Sequence, residues 1–155
     1  MDWEAIGAVA EMLAAVGVIA SLIFVGLQVR HSTDVAKATA RQAVADSSAR
    51  WSLSVVDSAD ISRIIVKARE DMATLTPEES VQISAYARTN LRMIENVFFQ
   101  CRKGLIEEPE WRAYRGILAG VINQSDQIWE QMRNLFPREF VDEVERVRTE
   151  GRQAE

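Results

Sequence analysis

The sequence predicts an all-α protein, and three observations carry that prediction. Apolar residues recur at steps of three and four, most clearly at Ile83, Ala87, Leu91, Ile94, Phe98, Cys101 and Leu105. No stretch alternates with the period of two that a half-buried strand needs. Between Gly26 and Pro77 there is neither a glycine nor a proline to interrupt a helix. With 155 residues, no internal repeat and no low-complexity linker, the chain is bounded at one domain and its attachments.

The first element is a membrane segment. Met12 to Val29 is 18 consecutive residues without a charge, and only Ser21 and Gln28 in it are polar. Extended back through Glu11 to Ile6 it has 24 residues, roughly 36 Å of helix, enough to cross a ~30 Å hydrocarbon layer with some tilt. The mean hydropathy of −0.09 hides this, because it averages the apolar opening with a charge-rich remainder. A cleaved leader would start with positive charge, whereas Asp2 and Glu4 precede the apolar run and no Lys or Arg occurs before Arg30, so the segment is expected to be retained. Arg30, Lys37 and Arg41 follow it closely. By the positive-inside rule the N-terminus lies outside and the C-terminal domain in the cytoplasm, with Trp3 at the outer interface.

Within that segment Gly7, Ala10, Ala14, Gly17 and Ser21 recur every three or four residues and form one small-residue stripe. Such a face lets two helix backbones approach closely in lipid, so it is read as a helix-packing face and a homo-oligomer is expected. Glu11 neighbours the stripe through Gly7, Ala8, Ala14 and Ala15 and becomes the candidate pore or proton-binding residue. The competing reading has it snorkel to the outer headgroups.

A helical stalk follows over residues 30–56; counted from Gln28, the 29 residues to Val56 add about 43 Å to the same helix. One of its faces carries Val35, Ala38, Ala45, Ala49, Leu53 and Val56; a second carries Ala36, Ala40, Ala43, Ser47 and Ser54 and offers a place for a helical partner. Residues 57–155 are expected to fold as a helical bundle. Asp57 and Ser58 cap a short helix with Ile61, Ile64, Ile65 and Ala68 on its apolar side. Thr76-Pro77-Glu78-Glu79 is a capping box with proline in the first turn, and it opens the core helix that stops at Gly104. Glu108 and Pro109 open a helix through Trp111, Tyr114, Leu118 and Val121, in which Gly116 and Gly120 suggest close packing of another helix. Ser125-Asp126 caps a helix with Ile128, Trp129, Met132 and Phe136, and Pro137 starts a last one with Phe140, Val141, Val144 and Val147 inward.

Chemistry is restricted by residue supply. A net charge of −5 argues against sequence-independent binding of nucleic acid, which requires a basic surface to displace counterions. One cysteine and one histidine leave no disulfide, no Cys/His zinc site and no redox pair. His31 sits beside Arg30 at the expected membrane exit and is read as an interfacial cation. Cys101 lies on the core stripe and is read as a buried, inert thiol. Glu107, Glu108 and Glu110 cluster where a helix dipole already favours them. No Glu-x-x-His pair and no glycine-rich phosphate loop occurs, so no catalytic residue, metal or cofactor is assigned. The polar residues that stand out are Asn90, Glu95, Asn96 and Gln100 within the core helix. They are expected to form a hydrogen-bonded network fixing helix register, with Glu95 reaching an arginine of a neighbouring helix, and a ligand pocket is the alternative.

The span ending Gln28-Val29-Arg30, followed by Ser32-Thr33, Glu95-Asn96-Val97-Phe98-Phe99-Gln100, Gly104-Leu105-Ile106 and Trp111, resembles a group of uncharacterised bacterial proteins. These have one N-terminal transmembrane helix and a cytoplasmic all-helical domain. The likeness runs from about Ile6 to Val144 and implies architecture and the bacterial inner membrane; it implies no activity, cofactor or catalytic residue. The function expected from all of this is a non-enzymatic, membrane-anchored module that contacts lipid, self-associates and acts as a scaffold for a protein partner. The alternative is a small homo-oligomeric channel lined by the N-terminal helix.

Overall fold

A computed structural model describes residues 3–123 and 126–153. The chain is 92% helical, without strands among the described residues, and the all-α class holds. Six α-helices are described: α1 (Trp3–Val56), α2 (Ala59–Glu70), α3 (Pro77–Arg102), α4 (Glu108–Asn123), α5 (Asp126–Met132) and α6 (Arg138–Gln153), with 3-10 turns at Met72–Thr74 and Arg133–Leu135. The expected unbroken helix through the apolar segment and stalk is α1. Two compact units divide at Thr39 and Ala40, so the division falls inside the expected stalk rather than at its end.

One stretch of α1, Ile6–Val56, is long enough and in its apolar window hydrophobic enough to cross a membrane, and none of that window is buried. Leu13, Leu22 and Phe24 are each about two-thirds exposed, and the small residues Gly7, Ala10, Ala14, Gly17 and Ser21 are exposed as well. Polar side chains in and just beyond the segment satisfy themselves on the helix: the Ser21 hydroxyl donates to the Gly17 carbonyl at 2.9 Å, and Thr33 to Val29 at 3.0 Å.

The second unit is a bundle around α3. Its N-cap is the capping box expected from sequence, with Glu79 N–H donating to Thr76 Oγ1 at 3.2 Å and Thr76 N–H to Glu79 Oε2 at 2.9 Å. Its C-terminus is a Schellman motif. Gly104 adopts φ +71°, its N–H donates to the Cys101 carbonyl at 2.9 Å, and the Leu105 N–H reaches the Gln100 carbonyl at 3.0 Å. Between these ends, Ile83, Ala87, Leu91, Ile94 and Phe98 are buried as the spacing predicts. Ser58 caps α2 through the Ile61 N–H, while the expected cap Ser125 lies outside the described residues.

Aromatic packing joins the helices. Phe98 of α3 lies 5.4 Å from Trp111 of α4 and 5.8 Å from Phe140 of α6, and Phe136 links Phe140 at 5.5 Å to Trp129 at 5.9 Å. These separations suit offset or tilted ring contacts. The last part of α1 turns inward a face that shares Ala40 and the half-buried Ser47 with the second expected stripe, while Ala36, Ala43 and Ser54 of that stripe are exposed. Ala40 and Val44 are buried and Trp51 packs against the core, whereas Val35, Leu53 and Val56 are more than half exposed. The expected stripe runs largely through alanines, which gain little from burial. The large side chains Val44 and Trp51 set the inward face instead.

An ion-pair clasp holds α2 to α3. Glu79 accepts from Lys67 Nζ at 2.5 Å and Arg63 at 2.8 Å while also serving the cap. Lys67, the Thr76 N–H and Arg63 together hold the Glu79 carboxyl down from 4.5 to about 2. Because this folded-state value is depressed, the stabilisation is complete above the unfolded value and is lost as pH falls toward 2. Glu79→Gln should therefore lower the thermal midpoint of the detergent-solubilised chain at pH 7 and make no difference near pH 2. Parallel pH profiles for wild type and variant would contradict the assignment.

Candidate functional site

Four places in the structure are candidates for function. On α3, the expected single network of Asn90, Glu95, Asn96 and Gln100 separates into pieces. Gln100 Nε2 donates to Asn96 Oδ1 at 3.2 Å, while Asn90, 2% exposed, leaves its Oδ1 buried without a partner. Glu95 pairs within its own helix, with Arg92 at 2.7 Å, rather than with an arginine of another helix. The reason is spacing: residues three apart on a helix face each other and meet before an interhelical partner is needed. Arg92 makes the interhelical link itself, donating to the Leu135 carbonyl at 2.6 Å with its guanidinium 4.5 Å from the Phe136 ring centre.

A second place is a charged cleft of about 710 Å³ between α3, α4 and α6, lined by Cys101, Arg102, Glu108, Arg115 and Glu143 among others. Its charges are largely paired with one another. Glu143, 5% exposed, accepts from Arg115 at 2.8 Å and Arg146 at 2.5 Å, and Arg102 pairs with Glu139. Glu110 and Glu107, expected only to suit the helix dipole, both engage Arg41, at 3.1 and 2.9 Å.

Cys101 is half-buried at the rim of this cleft rather than sealed in the core. Its thiol donates to Glu108 Oε2 at 3.8 Å. Burial and then the Glu108 carboxylate push the thiol up, which opposes formation of the nucleophilic thiolate. Iodoacetamide should accordingly label the native protein slowly at pH 7, and Glu108→Gln should label faster. Rapid labelling of wild type at neutral pH would show a reactive thiol.

The third place is one that no sequence motif marks. An apolar cavity of about 270 Å³ lies in the second unit beside the Trp51–Tyr86 stack, whose ring centres are 5.2 Å apart. Gly120 contributes to its lining, yet a Cβ there would meet nothing within 4 Å, and the same holds at Gly116. The close helix packing expected at these two glycines is therefore not what keeps them. A glycine inside a helix is disfavoured by about 1 kcal/mol against alanine, and that is the available signal at Gly120.

The fourth place is α1 itself. Gly7, Ala10, Ala14, Gly17 and Ser21 are all exposed, a Cβ at Gly7 or Gly17 would meet nothing within 4 Å, and Glu11 is exposed beside them. His31 is exposed too. No group of three or more potential metal-ligating side chains occurs among the described residues. No family model matches the sequence, and no curated protein or solved structure is similar to it.

Proposed function

We propose that this chain is a non-enzymatic, membrane-anchored helical module that self-associates through α1 and presents its C-terminal bundle to a protein partner as a scaffold. Its place is the bacterial inner membrane, as a single span with the N-terminus outside and the bundle in the cytoplasm. The observation that carries this reading is the exposure of Ile6–Val29 on every side. Thirteen large hydrophobic residues from Ile6 to Val29 are more than half exposed. At about 1.5 kcal/mol or more for each such side chain, the cost of leaving them in water is on the order of 20 kcal/mol, against a total folding stability of about 5–15. Something must cover them. A core helix is covered by its own domain and a partner helix covers one face; lipid covers all faces at once.

Arg30, Lys37 and Arg41 after the segment, against none before it, support the orientation. The absence of enzymatic chemistry is supported by the Cys101 environment and by the mutual pairing of charges in the cleft. Fusion of alkaline phosphatase or a fluorescent protein to the C-terminus tests the topology. Fluorescence without phosphatase activity is expected, and the reverse would invert the orientation. The mass of the detergent-solubilised complex tests self-association, and a monomer would remove it.

A further inference from the structure

A groove opens beside Asn96, one of the polar residues for which the sequence leaves a ligand pocket as the alternative. Ser47, Arg50, Trp51 and Ser54 of α1 line one side, and Thr89, Arg92, Met93 and Asn96 of α3 the other, each set spaced as one face of its helix. The cavity between them, of about 450 Å³, lies within the range of small-molecule sites. Half-buried Trp51 and buried Met93 give it apolar walls, and no acidic side chain is among the described residues that line it. The adjoining cavity brings Trp51 and Ser54 together with Gln82, Ala85 and Tyr86, so the two helices run in opposite directions along the groove and Ser47 and Asn96 share its far end.

The polar groups of the lining divide into engaged and free. Ser54 and Thr89 turn their hydroxyls back on their own helices, donating to the Trp51 carbonyl at 2.7 Å and the Ala85 carbonyl at 3.0 Å. Arg92 is matched by Glu95 at 2.7 Å and the Leu135 carbonyl at 2.6 Å. Among the described residues, Ser47 makes no such bond, Asn96 uses its Oδ1 for Gln100 and keeps its N–H groups, and Arg50 has neither hydrogen bond nor ion pair. Asp46, the acid nearest Arg50 in sequence, is held instead by Gln42 Nε2 at 2.8 Å.

One unmatched guanidinium beside two hydrogen-bond donors and between apolar walls fits a monovalent organic anion with a flat body. We propose that this groove binds an aromatic carboxylate, its carboxylate at Arg50, Ser47 and Asn96 and its ring against Trp51 and Met93. A phosphate monoester carries about 1.5 to 2 negative charges at neutral pH. It would meet one free cation only, since Glu95 already matches Arg92. A bare inorganic anion would leave the apolar walls in water. This assignment goes beyond anchoring and self-association and depends on neither, because every residue of the groove belongs to the second unit.

The test is calorimetric titration of the full chain in phosphatidylcholine nanodiscs with sodium 2-naphthoate, 2-naphthyl phosphate and 2-naphthamide, with empty nanodiscs subtracted. Saturable binding of one naphthoate per chain is expected, with the phosphate and the neutral amide each at least tenfold weaker. Arg50→Gln should weaken naphthoate at least tenfold with the thermal midpoint unchanged, because exposed Arg50 makes no hydrogen bond or ion pair in the fold. Asn96→Asp places a carboxylate in the wall and should weaken it as much, which guards against misfolding of either variant. Arg88→Gln, at an exposed arginine of α3 outside the groove, should leave binding unchanged. Uptake indistinguishable from empty nanodiscs, binding unaltered by folded Arg50→Gln and Asn96→Asp, or equal weakening by Arg50→Gln and Arg88→Gln would overturn the site. Naphthamide binding as tightly as naphthoate would overturn the anionic ligand, and phosphate binding as tightly or more so would overturn the carboxylate.

Discussion

Phe140→Ala is expected to destabilise the bundle by about 3–5 kcal/mol, a large part of the stability such a domain has. Phe140 is fully buried at the start of α6 and its ring meets both Phe98 of α3 and Phe136 before α6. Phe98 in turn meets Trp111 of α4, so a chain of rings through Phe140 and Phe98 joins α6, α3 and α4 to Phe136 just after the 3-10 turn. Removing it leaves a cavity that the three helices cannot all close, and relaxation toward one of them opens a gap at another. Urea unfolding of the detergent-solubilised chain, followed by tryptophan fluorescence, reads the change. Phe140→Leu should cost clearly less, because it keeps most of the volume. Phe24→Ala, at a position 66% exposed, should leave the bundle transition where it is. A Phe140→Ala midpoint equal to wild type would mean that this aromatic cluster does not hold the bundle together.

What is legible in the sequence is what local chemistry determines. The ends of α3 follow from Thr76, Pro77 and Glu79 at one side and Gly104 at the other, and each acts through hydrogen bonds within a few residues of itself. The buried stripe of α3 is legible because its residues are large and its period regular. The inward face of the last part of α1 is not, because alanine and serine occur on most of its faces and only Val44 and Trp51 break the tie. Pairings across the bundle are hidden for another reason. Glu79 is visible as a capping residue, but its contacts to Arg63 and Lys67 depend on where the turn at Met72–Thr74 brings α2. The apolar cavity is equally hidden, being empty space bounded by residues far apart in sequence. The small-residue stripe and Glu11 are legible as residues, while the role proposed for them needs two or more chains together.

If that stripe is the contact, Ala14→Leu and Gly17→Leu should each lower the mass of the complex in detergent toward that of one chain. Lipid offers no hydrophobic drive for helices to pair, so close backbone approach and polar contacts have to supply the association. A Cβ at Gly7 or Gly17 meets nothing in the isolated chain, so that face has room for a neighbouring backbone, and leucine would occupy that room. Leu22→Ala is the control: Leu22 is 67% exposed, lies outside the stripe, and its loss should leave the mass unchanged. Unchanged mass in both stripe variants would move the interface to the bundle, with the Ala36 and Ala43 side of α1, exposed along the helix, as the next candidate. Glu11 decides between scaffold and channel. Helices joined through the stripe would bring copies of Glu11 near one another, and like carboxylates gathered in lipid require bound cations or a column of water. Glu11→Gln should then change the ion selectivity of the reconstituted oligomer in a planar bilayer while leaving its mass intact. A wild-type oligomer that carries no current at any voltage would end the channel reading and leave Glu11 as a carboxylate held at the outer headgroups, with the scaffold as the function the remaining features support.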